Sequence, residues 1–147
     1  MEFDATDSKI LDTLSDNSRL SMREISKKIG VSVATVMHRM KKLEESKAIK
    51  KYSVILDYNK LGYEIQALIH IDVSKGKMVE VEKKIATHPN VSAVYDITGH
   101  FDAVVLTKFK TMHALDKFIK KIQTYDFVEK TETTIILNTF KEEPLKV

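Results

Sequence analysis

The stretch MREISKKIGVSVATVMHRMKKLEE, from Met22 to Glu45, decides how the first third of the chain folds. Ser21 and Glu24 have the spacing of a capping box, which begins a helix by pairing its free backbone amides with side chains. Gly30 follows at the position where a left-handed residue commonly ends a helix, and Ser32 is placed to cap a second one. The stretch therefore predicts a helix-turn-helix unit.

The second predicted helix has two faces of different character. Val36, Met40 and Leu43 recur at helical spacing and form an apolar stripe. The opposite side includes Thr35 and His38, which can hydrogen-bond to base edges when such a helix enters a major groove. Basic residues of both helices suit phosphate oxygens. Within the motif Met22 to Lys41 and directly after it, the predicted DNA contacts are Arg23, Lys27, Lys28, Ser32, Ala34, Thr35, His38, Arg39, Lys41 and Lys42.

Positive charge is concentrated in the same region. Arg19 to Lys51 contains ten basic and three acidic residues, whereas Leu61 to Val147 contains twelve of each. The net charge of the whole chain is only +3, so the excess lies in the first third. This asymmetry indicates a module that binds a polyanion, joined to a neutral module with another task. A solvated, lysine-rich face is the plainer alternative.

The segments on either side complete the first domain. Ile10, Leu11 and Leu14 follow polar cap candidates at helical spacing and predict a preceding helix. After a basic pair, the apolar segment YSVILD at 52–57 is interpreted either as a wing strand or as the start of a linker. The expected domains are a helix-turn-helix DNA-binding domain over 1–50, a wing strand and linker over 51–62, and a second domain over 63–147.

The second domain is predicted to have the order β-α-β-β-α-β. EIQALIHIDV alternates apolar and polar residues, as a half-buried strand does. Two amphipathic segments predict helices, the second with Met112 in its apolar stripe. VSAVYDIT and FDAVVLTKF predict a hairpin, and VEKTETTIILNTF predicts a long final strand. The chain is therefore predicted to be α+β, with an N-terminal winged helix-turn-helix and a C-terminal ferredoxin-like βαββαβ sandwich that carries both helices on one sheet face.

The other sheet face must also be covered. We expect Leu68, Tyr95, Val105 and the Ile135–Ile136 region to lie there. An apolar sheet face of this kind suits self-pairing in a two-fold dimer.

The sequence contains no sign of catalysis or of a bound metal. Its five histidines lack a metal-binding spacing, and no phosphate-binding glycine loop or nucleophile elbow is present. Cysteine is absent, which excludes disulfides and thiolate metal sites and favours an intracellular protein. No apolar run approaches the ~20 residues that cross a bilayer. We expect a cytoplasmic protein that is not an enzyme and uses no cofactor, metal or membrane.

These features together resemble the Lrp/AsnC family of prokaryotic transcription regulators, named for leucine-responsive and asparagine-responsive proteins. The region from ILDTLSDNSRLSMREISKKIGVSVATVMHRMKKLEE to SVILD is similar to the family's N-terminal DNA-binding domain. VYDITGHFDAVV is similar to its G-x-x-D hairpin, here Gly99, His100, Phe101 and Asp102. The family often has an acidic residue where this chain has His100. The resemblance covers nearly the whole chain.

The resemblance implies a homodimer that builds higher even-numbered assemblies, such as an octamer, with an amino acid or related small molecule bound between subunits. A free amino acid needs an anionic or carbonyl partner for its ammonium, which Asp102 offers, and donors for its carboxylate, such as the Thr133 hydroxyl. A structural alternative stays open, in which Gly99 makes a hairpin turn that Asp102 caps. The implied effector contacts are Gly99, His100, Phe101, Asp102, Thr131, Thr133, Thr134, Ile135 and Ile136.

Two functions follow from the sequence. The first is a sequence-specific regulator that binds double-stranded DNA and is modulated by an amino-acid effector at a subunit interface. The second is an architectural protein that uses the same helices to bind DNA without an effector. Preference for a target over bulk DNA separates the two.

Overall fold

The computed structural model describes residues 3–147 and divides into two compact units. One unit runs to Ile55 and also includes Lys141–Val147, and the other is Leu56–Phe140. The first unit is helical and the second combines a sheet with two helices. This is the α+β class that the sequence predicts. The helices of the first unit are α1 (Ala5–Asp16), α2 (Met22–Ile29) and α3 (Val33–Glu45).

The helix-turn-helix forms where its caps predict it. The Ser21 hydroxyl accepts a hydrogen bond from the Glu24 amide at 3.3 Å, and the Glu24 carboxylate accepts one from the Ser21 amide at 2.7 Å. The hydrogen bonds from Ser21 hold the pKa of Glu24 below its usual value. Gly30 ends α2 with φ 77°, a backbone conformation that glycine adopts at little cost.

A small core holds the three helices together. Ile10 of α1, Ile25 of α2 and Leu43 of α3 are at most 1% exposed. Val36 and Met40 are buried beside Leu43, which confirms the inward stripe predicted for α3. Burial of each such side chain contributes about 1.5–3 kcal/mol, so packing of these stripes fixes the direction in which the other face of α3 points.

Of the two interpretations of residues 52–57, as a wing strand or as the start of a linker, the wing strand is not formed. Residues 51–57 have no regular secondary structure, and Val54 and Ile55 are about three-quarters exposed. A strand needs a neighbouring strand to pair its backbone groups, and the described residues of this unit contain none. The segment contacts α3 through the Tyr52 hydroxyl, which donates a hydrogen bond to the Glu44 carboxylate at 2.7 Å.

The second unit is an antiparallel sheet with two helices packed on one face. The strand order is β2-β3-β1-β4. Its elements follow the predicted β-α-β-β-α-β order, namely β1 (Ile65–Val73), α4 (Met78–Lys84), β2 (Val91–Asp96), β3 (Ala103–Phe109), α5 (Met112–Ile122) and β4 (Val128–Ile135).

The core of this unit lies between the sheet and the helices. Ile69 of β1 and Val81 of α4 are fully buried, and Phe118 of α5 is 4% exposed. Val105 is opposite Ile69 across the β1–β3 pair and is fully buried. The expectation that Val105 lies on the outer sheet face is therefore wrong, because the register places it on the same face as Ile69.

Two further expectations for this unit need correction. Met112 does not belong to the buried stripe of α5, because it is 55% exposed. It is the first residue of the helix, and the buried residues begin one turn later, at Leu115. The final strand ends at Ile135 rather than near Phe140. Beyond it the Ile136 amide still donates to the Gln66 carbonyl at 2.8 Å, but Phe140 is 97% exposed.

The sheet face opposite the helices is called here the outer sheet face. It carries side chains that alternate with the buried ones. Leu68 is opposite Leu106 on β3, and Tyr95 of β2 is opposite Val104. These four side chains are exposed or half-buried, so they form an apolar patch on this face of the unit.

Candidate nucleic-acid interface and effector hairpin

The start of α3 is ordered by its cap. The Ser32 hydroxyl accepts a hydrogen bond from the Thr35 amide at 3.0 Å. The Ser32 and Thr35 hydroxyls are 2.8 Å apart and share a hydrogen bond. Ser32 and Ala34 are exposed and Thr35 is half-buried. The cap thus holds the N-terminal turn of α3 with small side chains on its outer side.

The outward face of α3 continues along the helix. His38 is exposed, and the Lys41 side chain is 75% exposed. Lys41 is 3.8 Å from Glu45, but an exposed ion pair at this spacing holds a lysine only weakly. Lys42 is half-buried, while Arg23, Lys27 and Lys28 of α2 are exposed.

Arg39 occupies a different place from the other predicted DNA contacts. Its Nη1 atom lies 2.7 Å from an Asp4 carboxylate oxygen and 3.2 Å from one of Asp7. The hydrogen bond to Asp4 holds the pKa of Arg39 above its usual value. Asp7 is fully buried, and a buried carboxylate needs such a partner. Arg39 therefore joins α3 to α1, which argues against its prediction as a phosphate contact.

Met37 is an outward-facing residue that the sequence reasoning missed. Its side chain is 57% exposed, between Ala34 and Lys41 along the outer side of α3. The helical spacing already places Met37 on the outer side, one turn from Ala34. An apolar residue is ordinarily assigned to a core, however, so the spacing alone is easily overlooked.

The predicted hairpin turns at Gly99, whose φ of 120° favours glycine. The Asp102 carboxylate accepts a hydrogen bond from the Val73 amide at 2.8 Å through its Oδ2 atom. The Asp102 amide donates to the Ile71 carbonyl at 3.1 Å, and its carbonyl accepts from the Ile97 amide at 2.9 Å. Asp102 thus caps the hairpin and the end of β1, while its side chain stays exposed.

Phe101 lies against the end of the outer sheet face. Its ring centroid is 5.4 Å from that of His70 and 5.1 Å from that of His100. The Lys130 Nζ atom stands 5.2 Å from the Phe101 ring centre, within range of a cation–π contact. The Nδ1 atom of His70 is buried and has no hydrogen-bond partner among residues 3–147. The hairpin therefore joins aromatic and charged groups at one place.

The effector candidates in β4 are divided between the two sheet faces. Thr131, Thr133 and Ile135 are opposite Ile71, Ile69 and Ala67 of β1, whose side chains point to the helices.

Thr134 is opposite Leu68, on the outer sheet face. Ile136 adjoins Gln66 through its amide, and Gln66 alternates with the buried Ala67 and so lies on the outer sheet face too. The predicted β4 set therefore does not form one surface within a single chain.

A separate groove of about 550 Å³ lies between α4 and β2. Met78, Val94 and Asp96 are among the residues that line it. None of the predicted effector residues lines it. In the part of the chain that the structure describes, no three acidic or histidine side chains gather as a metal site would require. No helix among residues 3–147 is long and apolar enough to span a membrane.

Comparison with known families accounts for both units. Residues 3–50 match a winged helix-turn-helix DNA-binding domain. Residues 66–145 match the Lrp/AsnC ligand binding domain. The two matches follow the chain in the order that the sequence predicts.

Known relatives match this chain over nearly its full length. The uncharacterized HTH-type transcriptional regulator PF1734 of Pyrococcus furiosus is 44% identical over 143 residues, which is 97% of each chain. The structure of E. coli AsnC superposes with a TM-score of 0.91 at 28% identity and covers 100% of both chains.

A second solved structure is the transcriptional regulator NMB0573 of Neisseria meningitidis, described as a complex with L-Met. Its TM-score is 0.88 at 25% identity, over 97% of this chain and 94% of that one. Because the relatives are named as transcription regulators, the prediction that the chain is not an enzyme is confirmed. The chain belongs to the Lrp/AsnC family, as a DNA-binding transcription regulator with a helix-turn-helix domain followed by a ligand-binding domain.

Proposed function

We propose that this regulator recognises particular DNA sequences with α3, pairs with itself through the outer sheet face, and responds to an amino acid bound at a subunit junction. The observation that carries the proposal is the two-sided character of α3. Val36 and Leu43 are fully buried, whereas Ala34 and His38 on the other side are exposed. A helix held in this way presents one face to a major groove.

The proposed DNA contacts are of two kinds, to base edges and to phosphates. Thr35 and His38 carry groups that hydrogen-bond to base edges, and the small Ala34 allows close approach. Lys41, Lys42 and the α2 residues Arg23, Lys27 and Lys28 would neutralise phosphates. The amides near Ser32, at the start of α3, favour a phosphate as well. Base contacts supply sequence preference, and phosphate contacts supply affinity and orientation.

Self-pairing would cover the apolar patch on the outer sheet face. Leu68, Leu106, Val104 and Tyr95 form an apolar surface on a monomer that would otherwise face water. A two-fold dimer buries the same patch on both copies. Such a dimer would place two α3 helices in successive major grooves, about 34–36 Å apart or a multiple of that. Higher even-numbered assemblies, such as an octamer, would extend the same arrangement.

The effector proposal rests on Asp102 and the turn at Gly99. One carboxylate oxygen of Asp102 accepts from the Val73 amide, and the exposed side chain leaves the other oxygen for the ammonium of an amino acid. Thr134 of β4 and Ile136 directly after it, on the outer sheet face, are the predicted effector contacts best placed to meet a neighbouring subunit. An effector there would favour one assembly geometry and so change which DNA half-sites are bound together.

Selection from random DNA duplexes tests the proposal against an architectural role. The purified full-length protein is incubated with the library, and bound duplexes are sequenced in the absence and presence of each amino acid. L-methionine is the first probe because the Neisseria regulator is described with it. A regulator working in the cytoplasm at physiological salt is expected to prefer its selected duplex by about 10³-fold or more. Equal binding to all duplexes would instead support the architectural role.

A further inference from the structure

The outward face of α3 carries two apolar side chains among polar ones. Ala34 is exposed, and Met37 is 57% exposed. They are three residues apart and are therefore neighbours on the helix surface. We call Ala34 and Met37 the apolar strip. His38 and Lys41, both exposed, stand beside it.

The core does not require Met37. The inward stripe of α3 is complete without it, because Val36 and Leu43 are fully buried and Met40 is 4% exposed. Met37 also lies outside the group of residues that packs against this core. At an exposed position a charged side chain interacts with water more favourably than methionine does. The rest of the outer side of α3 is largely polar. Among the described residues of the first unit, Met37 therefore contributes little to the packing of the core.

Exposure alone does not make Met37 functional, since single apolar residues are common on protein surfaces. Met112 on α5 is 55% exposed and has no proposed contact. What distinguishes Met37 is its location. It lies in the middle of the surface that is proposed to enter the major groove, with a hydrogen-bonding residue and a lysine within one turn.

The chemistry of the groove identifies what such a strip can read. Among the four bases, only thymine presents an apolar group in the major groove, its 5-methyl. Methyl groups of alanine make apolar contacts with it. Methionine is long, unbranched and polarisable, so it adapts its shape to an irregular apolar surface.

We propose that the apolar strip recognises the 5-methyl groups of thymines, so that Ala34 and Met37 select T·A pairs within each half-site. This inference rests on the proposed insertion of α3 into the major groove and adds the base type that it reads. His38 would then hydrogen-bond to a neighbouring base edge, and Lys41 would fix the helix on the adjacent phosphate.

Replacement of thymine by deoxyuridine tests the inference directly, because it removes only the methyl group and keeps base pairing. Duplexes with the selected sequence are made with each thymine replaced in turn, in both half-sites. Dissociation constants are measured by fluorescence anisotropy at one fixed salt concentration. For the wild-type protein, we expect about a threefold to tenfold loss of affinity at one or two thymines per half-site, the size expected when one or two methyl contacts are lost.

The Met37→Ala variant completes a double-mutant cycle. It should bind the all-thymine duplex more weakly than wild type by a similar factor, and it should respond less than about twofold to deoxyuridine at the thymine that Met37 contacts, while a thymine read by Ala34 stays sensitive. Met112→Ala is the matched control, since the same substitution is made at nearly the same exposure. It should behave as wild type with every duplex. Circular dichroism of both variants verifies that they remain folded.

The failure of this inference differs from the failure of the proposed function. If wild type prefers its selected duplex but ignores deoxyuridine at every thymine, or if Met37→Ala responds to deoxyuridine as wild type does, the apolar strip does not read methyl groups. If wild type binds all duplexes equally, sequence-specific recognition by α3 is wrong, and the inference ends with it.

Discussion

The Nη1 atom of Arg39 on α3 lies 3.2 Å from the carboxylate of Asp7 on α1, and that carboxylate is fully buried. Asp4, the cap of α1, is 2.7 Å from the same nitrogen. Helix α3 is thus joined to α1 and its cap by charge as well as by apolar packing. These contacts explain why the Arg39 side chain points towards α1, whereas His38 and Lys41 face outward.

Arg39→Met is expected to destabilise the first unit without changing phosphate contacts. Removal of the guanidinium leaves the buried Asp7 carboxylate without its cationic partner, which lowers the thermal midpoint by several degrees. The dependence of DNA affinity on salt should keep its wild-type slope. Asp7→Asn in the same chain should restore part of the lost stability, measured by circular dichroism. A salt slope reduced as for a phosphate-binding lysine would contradict the structural role of Arg39.

Lys41→Ala should weaken binding to all duplexes alike. Each lost phosphate contact lowers the magnitude of the slope of log affinity against log salt by about 1. Lys120→Ala is the matched control, because the Lys120 side chain on α5 is 72% exposed and pairs with Asp116 at the i−4 position. Titrations at four salt concentrations measure both slopes. Equal effects of the two substitutions would mean that Lys41 does not contact DNA.

His38→Ala should reduce sequence preference more than total affinity. A lost base contact costs about 1–3 kcal/mol for the correct sequence, which is roughly a fivefold to 150-fold weaker complex, whereas random duplexes lose little. Competition between a selected duplex and a random one measures the ratio. If the His38→Ala variant binds both duplexes as strongly as wild type does, the outward face of α3 that carries His38 is not the face that contacts the bases.

Asp102→Asn is expected to separate the structural and ligand-binding roles of the hairpin. Asparagine can still accept the hydrogen bond from the Val73 amide, so the fold should be retained. It lacks the charge that would hold an ammonium group, so stabilisation by an amino acid should disappear. Thermal-shift titration with a panel of amino acids measures this change. Unaltered stabilisation of the variant by the same amino acid would remove Asp102 from the effector site.

The stability of the second unit is expected to fall in mild acid because of His88. Burial, with a smaller effect of Lys121, lowers the pKa of His88 from 6.5, and its Nδ1 atom accepts from the Asn90 amide at 3.2 Å. The unfolded chain therefore binds more protons than the folded one between the two pKa values. This contribution to stability is fully present above pH 6.5 and is lost as the pH falls below it.

Urea titrations between pH 8 and 5 measure this effect. His88→Leu should flatten the acid decrease in stability, and His113→Leu, at an exposed position of α5, is the control. An unchanged decrease in the His88 variant would assign the effect to other groups.

Local patterns predicted the elements well because their causes lie within a few residues. The capping box of Ser21 and Glu24 and the turn at Gly30 are contacts of near neighbours. The Arg39–Asp7 pair is separated by 32 positions in the chain, and no periodicity indicates it. The sequence alone predicts the wrong sheet face for Val105, because its face depends on the register with β1, which is also a long-range contact.

The position of α3 on DNA is measured most directly by cleavage from a single tethered reagent. The chain contains no cysteine, so Glu45→Cys, at the exposed C-terminal end of α3, provides one attachment site for an iron chelate beside the surface that is proposed to contact DNA. Lys120→Cys, on the exposed side of α5, is the control. The account predicts strand cleavage localised to each half-site for Glu45→Cys and none there for the control. Absence of localised cleavage from a Glu45→Cys protein that still binds the duplex, or the same pattern from both variants, would show that α3 does not lie in the groove.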